Sequence, residues 1–355
     1  MTAPGVAVVG AGAWGTALAA VLAQREPVAL VARSESTAAR ILASRRNDAR
    51  LPGIDLSPDI LPTADAAVLR DADLVVFAVP SAHLRDTVST VARDIPSTGD
   101  VLSVVKGLER GTLLRMTEVI AEAGHVQAER IAALSGPNLA LEIARGLPAS
   151  AVVAARDEAL AVRIVDRVGR REFRLYVNAD VLGVELCGAL KNVVAIAAGA
   201  AEQLGFGDNG KAGLITRGLA EMTRLGIAAG ANPLTFAGLA GIGDLIATCG
   251  STLSRNHRLG VELARGRSWA GIEASLPGVA EGAYTVDAAL ALAARHEVDM
   301  PIAREVHNAL FEGKSVQRCL IDLLARESKD ELADFRRWAD QLRLGSDGGS
   351  EKSRC

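Results

Sequence analysis

Residues Val6–Leu22 read VAVVGAGAWGTALAAVL, and this stretch decides how the chain begins to fold. Val6–Val9 is a short apolar run of the kind that forms a buried strand, and Gly10, Gly12 and Gly15 follow at the spacing G-x-G-x-x-G. Thr16–Leu22 then has the composition of a helix packed on a sheet. Each glycine has its own task. Gly10 permits a tight turn, Gly12 lets backbone approach a pyrophosphate, and Gly15 lets helix and strand pack closely. The free N–H groups and positive dipole end at the helix start would hold the phosphate charge. A bare glycine spacing is a weak signal. Here a strand precedes it, a helix follows, and Val28–Val31 reads as the next strand.

Gly5 to Ala23 carries no charge, the composition of a targeting segment or membrane span. No Lys or Arg precedes the run, however, and its glycines fall in the fingerprint spacing rather than at a cleavage site. The rest of the composition is that of a soluble globular protein. With 355 residues, length alone argues for about two domains. The 49% hydrophobic and 23% charged residues are enough to bury a large core. A net charge of −3 gives no reason to expect nucleic acid or an anionic membrane as partner. Cys187, Cys249, Cys319 and Cys355 form no C-x-x-C pair, and the five histidines are scattered. Isolated thiols in a reducing compartment are therefore expected, with no metal site and the cytoplasm as location.

Beyond Val31 the chain goes on alternating strands and helices. Ala72–Val79, Val101–Val105, Ile131–Leu134, Ala149–Ala154 and Phe173–Val177 all read as strands. This is an α/β pattern: a Rossmann-type doubly wound sheet, in which ligands bind beyond the carboxyl ends of the strands. Arg33 stands where such folds choose their cofactor. Arginine there suits a 2′-phosphate and leans towards NADPH over NADH, although Glu35 is close enough to serve a ribose hydroxyl instead. Lys106 follows an apolar strand directly, and Ser135-Gly136-Pro137-Asn138 forms a turn with exposed amides. From about Val181 strand-like runs give way to Ala/Leu/Gly-rich helical segments reaching about Leu342. The expected division is a dinucleotide-binding domain at 1–180, an all-α domain at 181–342 and a disordered tail at 343–355.

Two constellations stand out in the helical half. Lys191 and Asn192 interrupt the apolar segment ELCGALKNVVAI (185–196). A lysine in such a helix either snorkels to solvent or is placed for chemistry, and burial with neighbouring cations would free its neutral amine as a base. The second is GLAGIGDLIATCGSTLSRNHRLG (238–260), in which Asp244 follows a glycine-dense turn. Ser254 is placed to cap a helix over Arg255–Arg265. That leaves amides, a hydroxyl, a forked guanidinium and the Asn256 amide as a phosphate site, or else as an ordinary capped surface helix.

From about Val6 to Leu324 the chain resembles bacterial NAD(P)-dependent glycerol-3-phosphate dehydrogenases. The resemblance lies in GAGAWGTALA (10–19), KGLE (106–109), SGPNLALEIARGLP (135–148), ELCGALKNVVAIAAG (185–199), ITRGLAEM (215–222), GLAGIGDLIATC (238–249) and STLSRNHRLG (251–260). It implies that Lys191 is the general base and Asp244 its acidic partner. Lys106, Gly136, Asn138, Ser254, Arg255 and Asn256 would line the substrate. Ala13, Trp14, Arg33, Lys106, Ala140, Arg255, Val279 and Glu281 would contact NADP or NAD. It further implies a homodimer that interconverts dihydroxyacetone phosphate and sn-glycerol 3-phosphate for phospholipid synthesis. Asn138 departs from the pattern, standing where Ser or Thr is usual. On this reading Lys106 and Arg255 depress the Lys191 pKa while Asp244 orients the amine. The alternatives are another two-domain dehydrogenase acting on a different hydroxy acid or phosphate, or a non-catalytic NADP-binding sensor.

Overall fold

The computed structural model describes residues 4–275, 278–327, 330 and 336. Strand β1 (Val6–Val9) is buried throughout, and helix α1 (Ala13–Leu22) leaves directly from the glycine turn. There follow β2 (Val28–Val31), α2 (Glu35–Ser44), a two-stranded flap of β3 (Arg46–Asn47) and β4 (Leu51–Asp55), and β5 (Ile60–Thr63). Next come β6 (Leu74–Phe77), α3 (Leu84–Val91), β7 (Asp100–Ser103), α4 (Met116–Gly124), β8 (Ile131–Ser135), α5 (Ala140–Ala144), β9 (Ala149–Ala154), α6 (Glu158–Val168) and β10 (Phe173–Asn178). One sheet takes the order β10-β9-β8-β7-β6-β1-β2-β5.

Its pairs are parallel except β8 with β9, so β9 and β10 run against the rest. Side chains alternate across the pleat: Val6 and Val8 join one core with Leu18 and Leu22 of α1, while Ala7 and Val9 join another with Val88 and Val119. Helices thus cover both faces, as an α/β doubly wound sheet requires. The strands expected at Ala72–Val79 and Val101–Val105 are shorter than their apolar runs. Their last residues form the turns that leave the sheet. The flap and β5 carried no strand pattern, because proline, glycine and aspartate interrupt them.

The glycine turn matches its chemistry. Gly10 has φ +117°, outside the range of most side chains, and a Cβ on Gly15 would lie 1.9 Å from the Gly10 carbonyl oxygen. At Gly12 the nearest obstacle to a Cβ is 3.9 Å away, so open space faces the start of α1 there. Asn47 braces this turn from the flap: its Nδ2 donates to the Ala11 carbonyl at 3.0 Å and to Thr16 Oγ1 at 2.8 Å.

The helical half begins with α7 (Val181–Gln203), capped by Asp180, whose Oδ1 accepts from the Gly183 N–H at 2.8 Å. This helix is long and apolar enough to cross a membrane, yet 89% of its most apolar window is buried inside the protein. An all-round apolar helix belongs in a core. Around it pack α8 (Gly207–Ala228), α9 (Pro233–Phe236), α10 (Asp244–Gly250), α11 (Arg255–Ala264), α12 (Trp269–Glu273), α13 (Glu281–Arg295), α14 (Pro301–Phe311) and α15 (Val316–Leu324). The tail expected at 343–355 lies outside the described residues.

Close packing of α11 on α7 needs two glycines. A Cβ on Gly199 would sit 2.0 Å from the His257 carbonyl oxygen, and one on Gly260 would sit 1.9 Å from that of Ile196. Neither backbone oxygen can move aside without parting the helices. Gly260→Ala is therefore expected to cost about 1–3 kcal/mol or more in chemical denaturation. A stability equal to that of the parent would refute this account of the contact.

Candidate active site

The parallel strands deliver their functional residues at one edge of the sheet. Gly10 follows β1, Arg33 follows β2, Ser81 follows β6, Lys106 follows β7 and Gly136 follows β8. The helical half meets this edge with α7, α10, α11 and the start of α13.

At the centre is the Asp244 carboxylate, only 1% exposed. Lys191 Nζ donates to Asp244 Oδ1 at 2.6 Å and to Thr248 Oγ1 at 2.7 Å. Lys106 Nζ reaches across from the sheet to Asp244 Oδ2 at 2.6 Å and also donates to the Gly136 carbonyl at 2.9 Å. Asp244 opens α10 after a π-helical turn at Leu239–Gly243, and Thr248 lies one turn on, with its hydroxyl donating back to Asp244 Oδ1 at 3.2 Å. Lys191 is therefore buried on a helix and held, not snorkelling.

Burial dominates the Lys191 titration and brings it down to about 8. Asp244 opposes that fall and Lys106 adds to it. Arg255, expected to share in the effect, is not among its main causes. Desolvation acts through the whole surrounding protein, whereas a distant cation acts only through a screened Coulomb interaction. For Asp244 itself, burial would raise the carboxyl, but Lys106 and Lys191 outweigh it and hold it below the usual range. The neighbouring thiol of Cys249 is pushed up to about 12 by burial, which leaves it inert.

The second constellation forms the far wall. Ser254 caps α11, its Oγ accepting from the His257 N–H at 3.2 Å, and the helix ends at Ala264. The first N–H groups of α11, at Arg255 and Asn256, have no acceptor within the helix. Arg255 lies against Gly278, is exposed, and makes no hydrogen bond or ion pair with other described residues. Asn256 is partly engaged. Its amide is not free: Nδ2 donates to Asn192 Oδ1 at 2.8 Å and Oδ1 accepts from the Gly282 N–H at 2.9 Å. It stitches α7, α11 and α13 together, with one Nδ2 proton left over. Glu281 accepts from the Ser81 N–H at 3.3 Å and hydroxyl at 2.5 Å, joining α13 to the sheet edge.

Several buried polar atoms around this cleft have no partner: Trp14 Nε1, Ser135 Oγ, both polar atoms of the Asn138 side chain, and Thr285 Oγ1. Such orphans are rare and call for a ligand or water. Together with the open space at Gly12 and the uncapped start of α1, they fit a bound dinucleotide and a polar substrate. Ala13 and Trp14 begin α1, Ala140 begins α5, and Val279 lies beside Gly278 and Arg255. Arg33 is exposed just past β2. A separate cavity of about 420 Å³, lined by Pro137, Leu139, Arg171 and Arg174 among others, contains none of the lysines, Asp244 or Arg255.

Residues 5–161 match the family model for the NAD-dependent glycerol-3-phosphate dehydrogenase N-terminus, and residues 180–321 match its C-terminus. The chain belongs to the NAD-dependent glycerol-3-phosphate dehydrogenase family. It is 47% identical to the glycerol-3-phosphate dehydrogenase [NAD(P)+] of Streptomyces coelicolor over 92% of this chain and 97% of that protein. It is 44% identical to that of Moorella thermoacetica, again over 92% and 97%. The crystal structure of glycerol-3-phosphate dehydrogenase from Coxiella burnetii superposes with a TM-score of 0.86 at 36% identity, covering 90% of this chain and 98% of that one.

This dehydrogenase also uses residues that the sequence left unremarked. Thr248 had a signal, standing four residues after Asp244 on one helix face. Asn47 had none, because the flap reaches the glycine turn only through the fold. Asp244 contributes the largest upward influence on Lys191. Asp244→Asn should therefore move the pH limb imposed by Lys191 on turnover to lower pH. A limb that stayed in place or moved up would show that the pair is not coupled as described.

Proposed function

We propose that this enzyme transfers a hydride between NAD(P)H and dihydroxyacetone phosphate to give sn-glycerol 3-phosphate, reversibly. The observation that carries the reading is the buried Lys191 amine, poised near pH 8 and held by Asp244 and Thr248 at the edge where the sheet meets the helices. Residues 1–180 serve as the dinucleotide-binding domain and 181–342 as the catalytic domain.

The cofactor supplies the hydride chemistry. The glycine turn and the start of α1 would hold its pyrophosphate, and Ala13, Trp14, Arg33, Lys106, Ala140, Arg255, Val279 and Glu281 would contact it. In oxidation the neutral Lys191 amine takes the proton of the secondary hydroxyl, and in reduction the ammonium returns it to the carbonyl oxygen. Asp244 and Thr248 aim that amine, and Lys106 keeps positive charge beside the reacting oxygen. Ser254, Arg255 and Asn256 at the start of α11, with Gly136 and Asn138 opposite, bind the phosphate and hydroxyls. Arg255 makes no hydrogen bond or close ion pair with another described residue, although Glu281 acts on it through space, and its fork is suited to a phosphate. Holding a remote phosphate fixes the reacting carbon and uses that binding energy in the transition state.

Arg33 favours NADPH over NADH, because it is exposed at the end of β2 with no acid at that position. The product serves phospholipid synthesis in the cytoplasm, and the working unit is a homodimer, as the family resemblance implies.

Steady-state assays of the purified protein test the core of this. Lys191→Ala is expected to cut turnover by about two to four orders of magnitude with cofactor affinity nearly unchanged. Comparable turnover in the variant would remove Lys191 as the base. In the parent, kcat/KM for oxidation should rise through about pH 8 and that for reduction should fall, since only the neutral amine accepts a proton and only the ammonium donates one. Glycerol should be a far poorer substrate than glycerol 3-phosphate; equal rates would point to a different dehydrogenase, and no turnover at all to the sensor. Arg33→Ala should weaken NADPH on the order of tenfold or more, one charge-assisted contact, and NADH much less. An equal loss for both would end the NADPH preference.

A further inference from the structure

Glu185 is a buried carboxylate that the mechanism above does not use. Its side chain is 4% exposed, and three donors converge on it from the sheet half. Arg115 Nη1 donates to Oε2 at 2.6 Å, the Thr117 hydroxyl donates to Oε2 at 2.7 Å, and the Thr117 N–H donates to Oε1 at 2.9 Å. Arg115 is also the N-cap of α4, where Glu118 accepts from its backbone N–H at 2.9 Å and from its guanidinium at 2.5 Å.

Arg115 leads back to the active site. It pairs with Leu108 in an isolated antiparallel bridge, which closes the loop that starts just after Lys106 and Gly107. Glu185 also leads there along its own helix. Glu185 adjoins Gly188 and Gly188 adjoins Lys191 as i,i+3 neighbours on α7, so Gly188 links the two although they themselves point about 120° apart. Six residues of helix amount to about 9 Å of rise. Gly188 lies between: a Cβ there would meet Lys106 Cγ at 3.3 Å and Cδ at 3.5 Å. The Lys106 stem therefore crosses α7 one turn above Glu185 and one turn below Lys191.

We propose that Glu185 is a positioning residue for the reaction. By pinning Arg115 and Thr117 to α7, it sets where Lys106 crosses that helix, and hence how the two lysines share the Asp244 carboxylate. The proposal rests on the reading of Lys191 as the base. Facing Lys191 are Asp244 and Cys249 from α10 and Lys106 from the loop after β7. Facing Glu185 are Arg115 and Glu118 from the start of α4. Arg255 of α11, Glu281 of α13 and Lys211 and Glu221 of α8 are not among the main influences on either group.

Two opposite effects make the proposal testable. Lys106 lowers the Lys191 pKa, so a loosened Lys106 lets it rise. Loss of a nearby negative charge acting only through space would make it fall. In Glu185→Gln the acid limb of kcat/KM for oxidation is therefore expected to move up in pH. A fall in kcat of between about ten- and a hundredfold should accompany it, the scale of a small misplacement. Thr117→Val, which removes one hydroxyl and keeps the ion pair, should shift the limb the same way by less, and serves if the first variant does not fold. A limb that stays in place while thermal stability drops would make Glu185 merely structural and overturn the proposal. So would a downward shift, which would assign it a through-space charge effect. The parent and Lys191→Ala are run alongside. If the parent lacks a limb near pH 8, or Lys191→Ala keeps one, the base assignment fails and takes this proposal with it. If that limb behaves as expected and only the Glu185 variants do not, the failure belongs to the proposal alone.

Discussion

One carboxylate holds two ammonium groups that arrive from different halves of the molecule. Asp244 stands on a helix of the C-terminal half, Lys191 on another, and Lys106 comes from a loop of the sheet, each amine 2.6 Å from its own oxygen. Removing two charges of an ion pair from water costs several kcal/mol per ion, and the mutual attraction repays this only with close geometry. The site meets that condition by using both carboxylate oxygens and adding the Thr248 hydroxyl. The same burial that makes the cluster costly brings the Lys191 titration towards the working range. Stability and reactivity are here two consequences of one desolvation.

The cluster can exist only because α7 is enclosed. A helix this apolar places almost any polar group it carries in a low-dielectric setting, so each one must be answered. Glu185 is answered by Arg115 and Thr117, Lys191 by Asp244 and Thr248, and Asn192 by Asn256. Glycines at 188, 199 and 260 let the answering groups and helices come close enough. Burial pulls the Glu185 carboxyl upward, with Arg115 the strongest opposition, so this pair too holds its charge only by contact.

Beside the apolar packing of Leu108, Val152 and Ala154 into the helical core, the halves meet through polar contacts. Lys106 with Asp244, Ser81 with Glu281, and Arg115 and Thr117 with Glu185 all cross from sheet to helices. Polar pairs of this kind specify geometry more sharply than an apolar face, since a lateral slip leaves a buried charge unpaired. Trp14 Nε1, the Asn138 side chain and Thr285 Oγ1 stay unsatisfied in the structure, a pattern that fits a ligand-binding cleft.

Local chemistry was enough to read much of this from the chain. Glycine spacing after an apolar strand marks the dinucleotide turn because only glycine permits φ +117° at Gly10 and the close approach at Gly15. Lys191 and Asp244 could be singled out because charges are costly in apolar surroundings, and Ser254 because a hydroxyl before a helix caps it. The flap and β5 escaped notice, since their prolines and glycine break the pattern and neighbouring strands alone make them extended. That β9 and β10 run against the other strands is likewise a matter of pairing. What only the tertiary structure decided is which distant groups meet: Lys106 with Asp244 at 138 residues' separation, Asn47 beneath the glycine turn, Asn256 committed to a neighbouring asparagine. Propensity and periodicity act over a few residues, while a carboxylate and an amine so far apart along the chain are joined only when two cores have folded and closed on each other.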